Sequence, residues 1–484
     1  MSIKNELVKI VGSGNVKDDR KSLANYVTDL GLHGPGSAEA VAYPETSEQV
    51  SALLKWANAK NVPVVPVSSG EHFYGCAVPK QSGVVIDLRK MNKIREIDIY
   101  NRKICVEPGV TWRQVTEELD KHNMRMIMPL LPHPDRSVLT DWLEREVPTN
   151  TVYDYGEPMQ SLEVVWPIGE IFRTGSASVN GYPDAHAKGT NPSGPGLDFY
   201  RFIQGAQGTM GIVTWANFKV ESKPRMDKVL IAGIKDIARA QEFLYRILPR
   251  RIGQEVLLLN KVNLATILAD KWPDDFGKLC DILPPWTLII VVSGLVRRPE
   301  EKIAYEMEFL GEVLRNEFKD ISLSHRLAGI PAVDKKILTL LRKPWQKKVY
   351  WKNIWKGAAH SLFFVAKPSD VPDYIKIAEK IATDHRYFID DIGMYTQPIE
   401  HNRACHMEFT FFYNPENTSE KESIRTLSGV AAKELLNRGA FFTRPYGDIA
   451  ALMYERAASY AATLKRVKKL FDPNNIMNPG NLCF

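Results

Sequence analysis

Between Thr46 and Gly75 the sequence joins an amphipathic helix, a β-branched strand and a loop dense in glycine and serine. No other stretch restricts the fold as much. Thr46 is a helix-starting residue, and Val50, Leu53, Leu54, Trp56 and Ala57 follow at helical spacing as far as Lys60. Val62–Val67 is a short apolar run of the kind that forms a buried strand. The loop after it carries Ser68, Ser69, Gly70 and Gly75. Glycine lets backbone N–H groups approach an anion, and serine hydroxyls add donors. The loop therefore reads either as a tight turn or as a phosphate cradle. Short strands at Val84–Leu88 and Ile104–Glu107 and a helix at Thr111–Asn123 extend this βαβ texture to about Val220. Ligand sites of such folds gather at strand ends.

From about Lys223 to Asn437 the pattern changes. Strands are predicted at Val229–Ile234, Thr287–Val292, Ala359–Val365 and Glu408–Tyr413, and helices at Ala238–Leu248, Glu300–Phe318 and Val371–Asp384. That alternation predicts an antiparallel sheet covered on one face. At roughly 100–200 residues per domain, 484 residues make two to four folding units. The 63 Lys plus Arg are interspersed with 57 Asp plus Glu, so the net charge of +6 is not a nucleic-acid footprint. Five scattered cysteines form no CxxC pair, which argues against a metal site and a disulfide framework. Met1–Gly12 lacks the pattern of a signal peptide, and the longest strongly apolar stretch, Trp286–Val296, is too short to span a bilayer. A cytoplasmic protein without a membrane span is expected.

Several segments together carry a resemblance: Tyr43–Val50 (YPETSEQV), Val84–Asn92, Cys105–Trp112, Ser137–Val165, Gly205–Thr214 (GAQGTMGIVT) and Asp472–Gly480 (DPNNIMNPG). In this order the sequence resembles the vanillyl-alcohol oxidase / p-cresol methylhydroxylase flavoproteins, closest to their 4-alkylphenol branch. The resemblance implies an α+β fold: a two-subdomain FAD-binding domain over residues 1–222, a ferredoxin-like antiparallel cap over 223–439, and a C-terminal segment, 440–484, returning to the first domain. It implies FAD held by Ser68, Ser69, Gly70, Glu71, His72, Ser137, Thr140, Gly208, Gly211, Ile212, Val213 and Asn478. Hydroxyl and backbone donors suit a pyrophosphate, and glycine-rich backbone suits the flat ring. No GxGxxG follows the first strand, so a Rossmann-type site is disfavoured.

For function, the resemblance implies hydride transfer from a 4-alkylphenol or aromatic alcohol to the flavin through a quinone-methide-like intermediate. Tyr74 falls where the family holds the phenolate. Ionising a phenol of pKa about 10 at pH 7 needs roughly 4 kcal/mol. Charged hydrogen bonds supply about 1.5–3 kcal/mol each, so two or three donors should converge. The family's contiguous Tyr-Arg pair is replaced here by Arg444 and Tyr446, in Thr-Arg-Pro-Tyr. Asp154 falls where the family places an acid near the flavin, with Glu157 competing, and His406 resembles an active-site histidine. His360 and His72 are the two candidates for a covalent FAD tether, with non-covalent binding the third option. A 2-hydroxy-acid dehydrogenase, with Arg444 clamping a carboxylate, and an electron-relay subunit are the alternatives. Oxygen, a cytochrome or another carrier is left open as acceptor, as is a homodimer.

Overall fold

The computed structural model describes residues 2–484 except 70–71, 153–155, 180–183 and 328. The first sheet runs in the order β1 (Val16–Lys17), β2 (Ala40–Ala42), β4 (Val84–Asp87), β3 (Val64–Val67). β2, β4 and β3 are parallel. A parallel pair needs a crossover, which here is the helix Ser47–Lys60. That helix starts because the Thr46 hydroxyl accepts from Gln49 N–H (3.2 Å), and it stops at Asn61 in the left-handed region (φ 53°). It buries Val50, Leu53, Leu54 and Ala57 against this sheet. The second sheet contains β5 (Ile94–Asp98), β6 (Lys103–Val106), β8 (Met159–Val165), β9 (Ile171–Arg173) and β10 (Ile212–Lys219), in the order β5-β6-β10-β8-β9. β7 (Met124–Arg125) pairs with β11 (Glu221–Ser222).

Six antiparallel strands make the third layer: β12 (Met226–Ile234), β13 (Glu255–Asn260), β14 (Trp286–Gly294), β15 (Ala358–Ala366), β16 (Ile392–Ile399) and β17 (Ala404–Tyr413). Their order is β12-β14-β13-β16-β17-β15. Alternate residues divide between two cores, as the two-residue period of a strand dictates. Leu230, Leu258, Ile290, Leu362 and Phe409 meet the helices Ile237–Ile247, Pro299–Glu317, Val371–Asp384 and Thr418–Arg438. On the other face Val229, Leu257 and Ile289 meet the helices Lys261–Leu268 and Val333–Arg342. The sheet is thus covered on both faces over β12, β14 and β13, where one covered face was expected. Over β16, β17 and β15 the second face carries Tyr395, His406, Glu408, Ser361 and Phe363, and these border the cavity described below.

Two devices join the layers. Glu255 on β13 bridges Arg125 of β7 (3.1 Å) and Arg342 (2.8 Å), whose other partners are Glu221 and Asp227. At the C-terminus, the chain after helix Ala458–Phe471 returns to β3. There Val64 N–H donates to Ile476 C=O, and Asn478 N–H donates to Val64 C=O, both at 2.8 Å. Among the described residues, no helix is long and apolar enough to cross a membrane.

Candidate active site

A groove opens where β3 ends, between the helix Val138–Leu143 and the turn leading into β10. Seven of the sequence-predicted cofactor residues line it: Ser68, His72, Thr140, Gly208, Gly211, Ile212 and Val213. The Ser68 and Thr140 hydroxyls touch. Gly208 has φ +70°, and a Cβ there would lie 2.6 Å from Pro66 Cγ. Glycine is what lets this turn close on the strand. Ser137 and Asn478 act one layer behind the wall. Ser137 is fully buried and caps the helix by accepting from Thr140 N–H (3.2 Å). The Asn478 amide donates to Cys76 C=O and Gln207 C=O, both at 2.7 Å, tying the two groove loops together. Gly70 and Glu71 lie outside the described residues.

Beyond this groove, between the first sheets and the six-stranded layer, lies a chamber. Its two connected cavities share Phe73, Tyr74, His360 and Ser361. Here the structure brings together Tyr74, Arg444 and Tyr446. The Tyr74 and Tyr446 rings stack at 4.6 Å, Tyr74 sits edge-on to Phe363 at 5.3 Å, and the Arg444 guanidinium lies 4.1 Å from the Phe363 centroid. Arg444 is 4% exposed and pairs with Glu146 at 2.6 Å, so it is an interior charge and not a surface one. The Tyr446 hydroxyl donates to Glu144 (2.5 Å), and that carboxyl belongs to the flanking groove.

His406 lines the same chamber, its Nε2 3.7 Å from Glu408. Glu408 also accepts from Lys352 (2.5 Å) and Ser361 (2.8 Å). Burial pushes the His406 pKa down, against the pull of Glu408. Burial acts to raise Glu408, but Lys352 and His406 outweigh it and keep it ionised. His360 also borders the chamber, but its Nε2 meets Ser428 Oγ at 2.8 Å, on the helix-covered side of β15. One step along a strand reverses the face, so Ser361 and Phe363 point the other way. Burial lowers His360 to about 3 and His72 to about 4, so both rings are neutral. Asp154 lies outside the described residues. Glu157 borders none of these cavities and is near enough to Tyr200 to act on its phenol.

Sequence reasoning missed Arg136, Asp141, Glu144, Glu146, Lys352 and Glu408. Their signal was present: charges set inside apolar runs, such as Glu408 in HMEFTFF and Glu144 and Glu146 in WLEREV, must find partners once buried. They do. Arg136 pairs with Asp141, which also accepts from Trp112 Nε1–H at 2.6 Å.

A groove lined by glycine backbone and hydroxyl groups lies next to a buried, charged, aromatic chamber, and comparison with known proteins identifies the class as a flavin-dependent oxidoreductase. The FAD binding domain family matches residues 38–175, and the C-terminal domain family of FAD linked oxidases matches residues 364–482. The chain is 22% identical over 456 residues to the mitochondrial D-lactate dehydrogenase [cytochrome] of Arabidopsis thaliana, covering 92% of this chain and 73% of that one. It is 23% identical to the 4-cresol dehydrogenase [hydroxylating] flavoprotein subunit of Pseudomonas putida, covering 97% and 93%. It shares the fold of p-cresol methylhydroxylase with substrate bound: TM-score 0.82, 20% identity, 99% of this chain and 96% of that chain. The chain is an FAD-linked oxidase or dehydrogenase, built from an FAD binding domain and the C-terminal domain of FAD linked oxidases. Its cofactor is FAD. The groove fits that group, because His72 Nε2 and Gln207 Oε1 on its wall are buried without hydrogen-bond partners, as is Ser69 Oγ next to Ser68. Buried polar atoms are rarely left unpaired.

Proposed function

We propose that the hydride donor is an aromatic alcohol or a 4-alkylphenol. The supporting observation is the charge balance of the chamber. Its four cations, Arg136, Lys352, Arg425 and Arg444, each have a carboxylate within 3.7 Å: Asp141, Glu408, Asp448 and Glu146 respectively. Glu144 adds a further acid behind Tyr446. A 2-hydroxy acid would bring another negative charge here. Two like charges about 4 Å apart repel by about 4 kcal/mol at an effective dielectric of 20. An uncharged aromatic avoids that cost and meets walls of Phe73, Tyr350, Trp351, Phe363 and Tyr395.

FAD supplies the hydride acceptor. The rest of the chemistry belongs to the chain. The Tyr74 hydroxyl and Arg444 hold the substrate oxygen, since the Tyr446 O–H already donates to Glu144 and that ring serves as a stacking surface. His406, neutral and backed by Glu408, receives the proton of an alcohol substrate. Asp154 is the group assigned to water or to the neighbouring proton after hydride loss. The same reading assigns residues 1–222 and 440–484 to the FAD-binding unit and 223–439 to the cap, because the first two sheets build the groove while β15 to β17 roof the chamber. Five free cysteines support the cytoplasm as its compartment.

A panel tests the substrate class. With FAD-loaded protein under argon, 4-alkylphenols or 4-hydroxybenzyl alcohol should bleach the flavin band, and D-lactate and glycolate should leave it. Bleaching by the hydroxy acids alone would transfer the assignment to the class of the D-lactate relative.

A further inference from the structure

A second cavity of about 530 Å³, within the range of roughly 300–1,000 Å³ typical of small-molecule sites, lies beside the FAD groove. Ala206 lines both. Its walls are apolar and aromatic, including Met210, Phe442, Met453 and Leu464, and its rim carries Phe202, Phe441 and Tyr460, which are 38, 55 and 64% exposed. Its polar lining comprises Arg145, Arg201, Gln204, Thr443, Tyr454 and Tyr460. Gln204 is 3% exposed and donates its Nε2–H to Gly156 C=O (3.0 Å), while its Oε1 is buried without a partner. Tyr454 supplies a phenol, and burial keeps it protonated.

We propose that this cavity binds the electron acceptor, a planar aromatic of the quinone class. The apolar walls match a ring. The Tyr454 O–H donates to a quinone carbonyl, and the unpartnered Gln204 Oε1 accepts the O–H of the quinol. The balance is complete. The two electrons and one proton left by the substrate as hydride, with one proton from solvent, reduce both carbonyls to hydroxyls and regenerate oxidised cofactor. The proposal rests on the FAD-dependent reading but not on which organic substrate is oxidised.

The test uses FAD-loaded protein and 2,3-dimethoxy-5-methyl-1,4-benzoquinone as probe. Calorimetry on the oxidised protein should show saturable binding at one site per chain. Met453→Trp and Leu464→Trp, which fill the cavity, should each weaken that binding at least about tenfold. They should also slow reoxidation by the quinone after photochemical reduction of the flavin, with FAD content unchanged. Photoreduction keeps the result independent of the organic substrate. An azido analogue of the probe should label peptides 201–210 and 441–464 of the wild type, which needs no variant to fold. Absence of saturable binding, labelling elsewhere, or equal affinity in both variants would overturn the proposal. So would a wild-type dimer that both variants dissociate without any change in quinone binding, because the cavity would then be a subunit interface.

Discussion

Tyr74 shows how a residue can be placed by pattern while its chemistry depends on partners far away in sequence. Its ring ends between Tyr446 and Phe363, and burial drives its own pKa well up, so it acts as a donor and not as a phenolate. Tyr74→Phe should lower kcat/KM for phenols by about 10²-fold, the scale of losing one oxyanion donor, with FAD content unchanged. Equal loss of both would make Tyr74 structural. The histidines give a pH signature. His72 and His360 titrate near 4 and 3 when folded, against about 6.5 when unfolded. Between pH 6.5 and those values the unfolded chain takes up protons that the folded one refuses, so stability falls as pH falls through that window. His360→Gln should flatten the acid limb of the urea-midpoint profile, and an unchanged limb would exclude this account. His360, one of the two tether candidates, turns its ring toward Ser428 on the helix-covered side of β15.

At the scale of elements, the helix Ser47–Lys60 and β3 were legible because an N-cap, a 3.6-residue period and a β-branched run all agreed. β13 and β16 were not. Glu255–Asn260 runs directly into an equally apolar helix, leaving no boundary signal, and Ile392–Ile399 contains Gly393 and Pro398, which read as breakers. Groove residues were readable because the loops that form them are local. Most of the chamber's ion pairs were not, since pairs such as Glu146 with Arg444 and Lys352 with Glu408 join segments far apart in the chain. The C-terminal loop depends on one buried pair. Lys468 Nζ bonds Asp472 (2.5 Å), Thr209 C=O and Met477 C=O, while Asp472 accepts from Ile476 N–H (3.0 Å) and Met477 N–H (2.9 Å). Lys468→Met leaves a buried carboxylate uncompensated and should cost about 3–5 kcal/mol. It should also weaken FAD retention on gel filtration, because the loop that carries Asn478 then loses the Lys468 tie to Met477 C=O. Full retention would separate the loop from the cofactor site.

Across the whole molecule, the groove and the chamber come from different layers, and their alignment depends on what joins those layers. Glu255 is the central strut, shared by Arg125 and Arg342. Glu255→Leu leaves Arg125 with Glu221 and Arg342 with Asp227 as their remaining carboxylates and should lower the urea midpoint by the equivalent of about 1.5–3 kcal/mol. It should slow flavin reduction more than it reduces FAD content; an unaltered midpoint would show that the layers are held elsewhere. In the proposed reaction a carbon-bound hydride of an aromatic substrate leaves inside the chamber. Anaerobic stopped-flow bleaching with 4-hydroxybenzyl alcohol, protiated and dideuterated at the methylene carbon, measures that step. A several-fold slower bleaching with the deuterated alcohol is predicted. Failure of either isotopologue to bleach the flavin, or identical rates for the two, would contradict it.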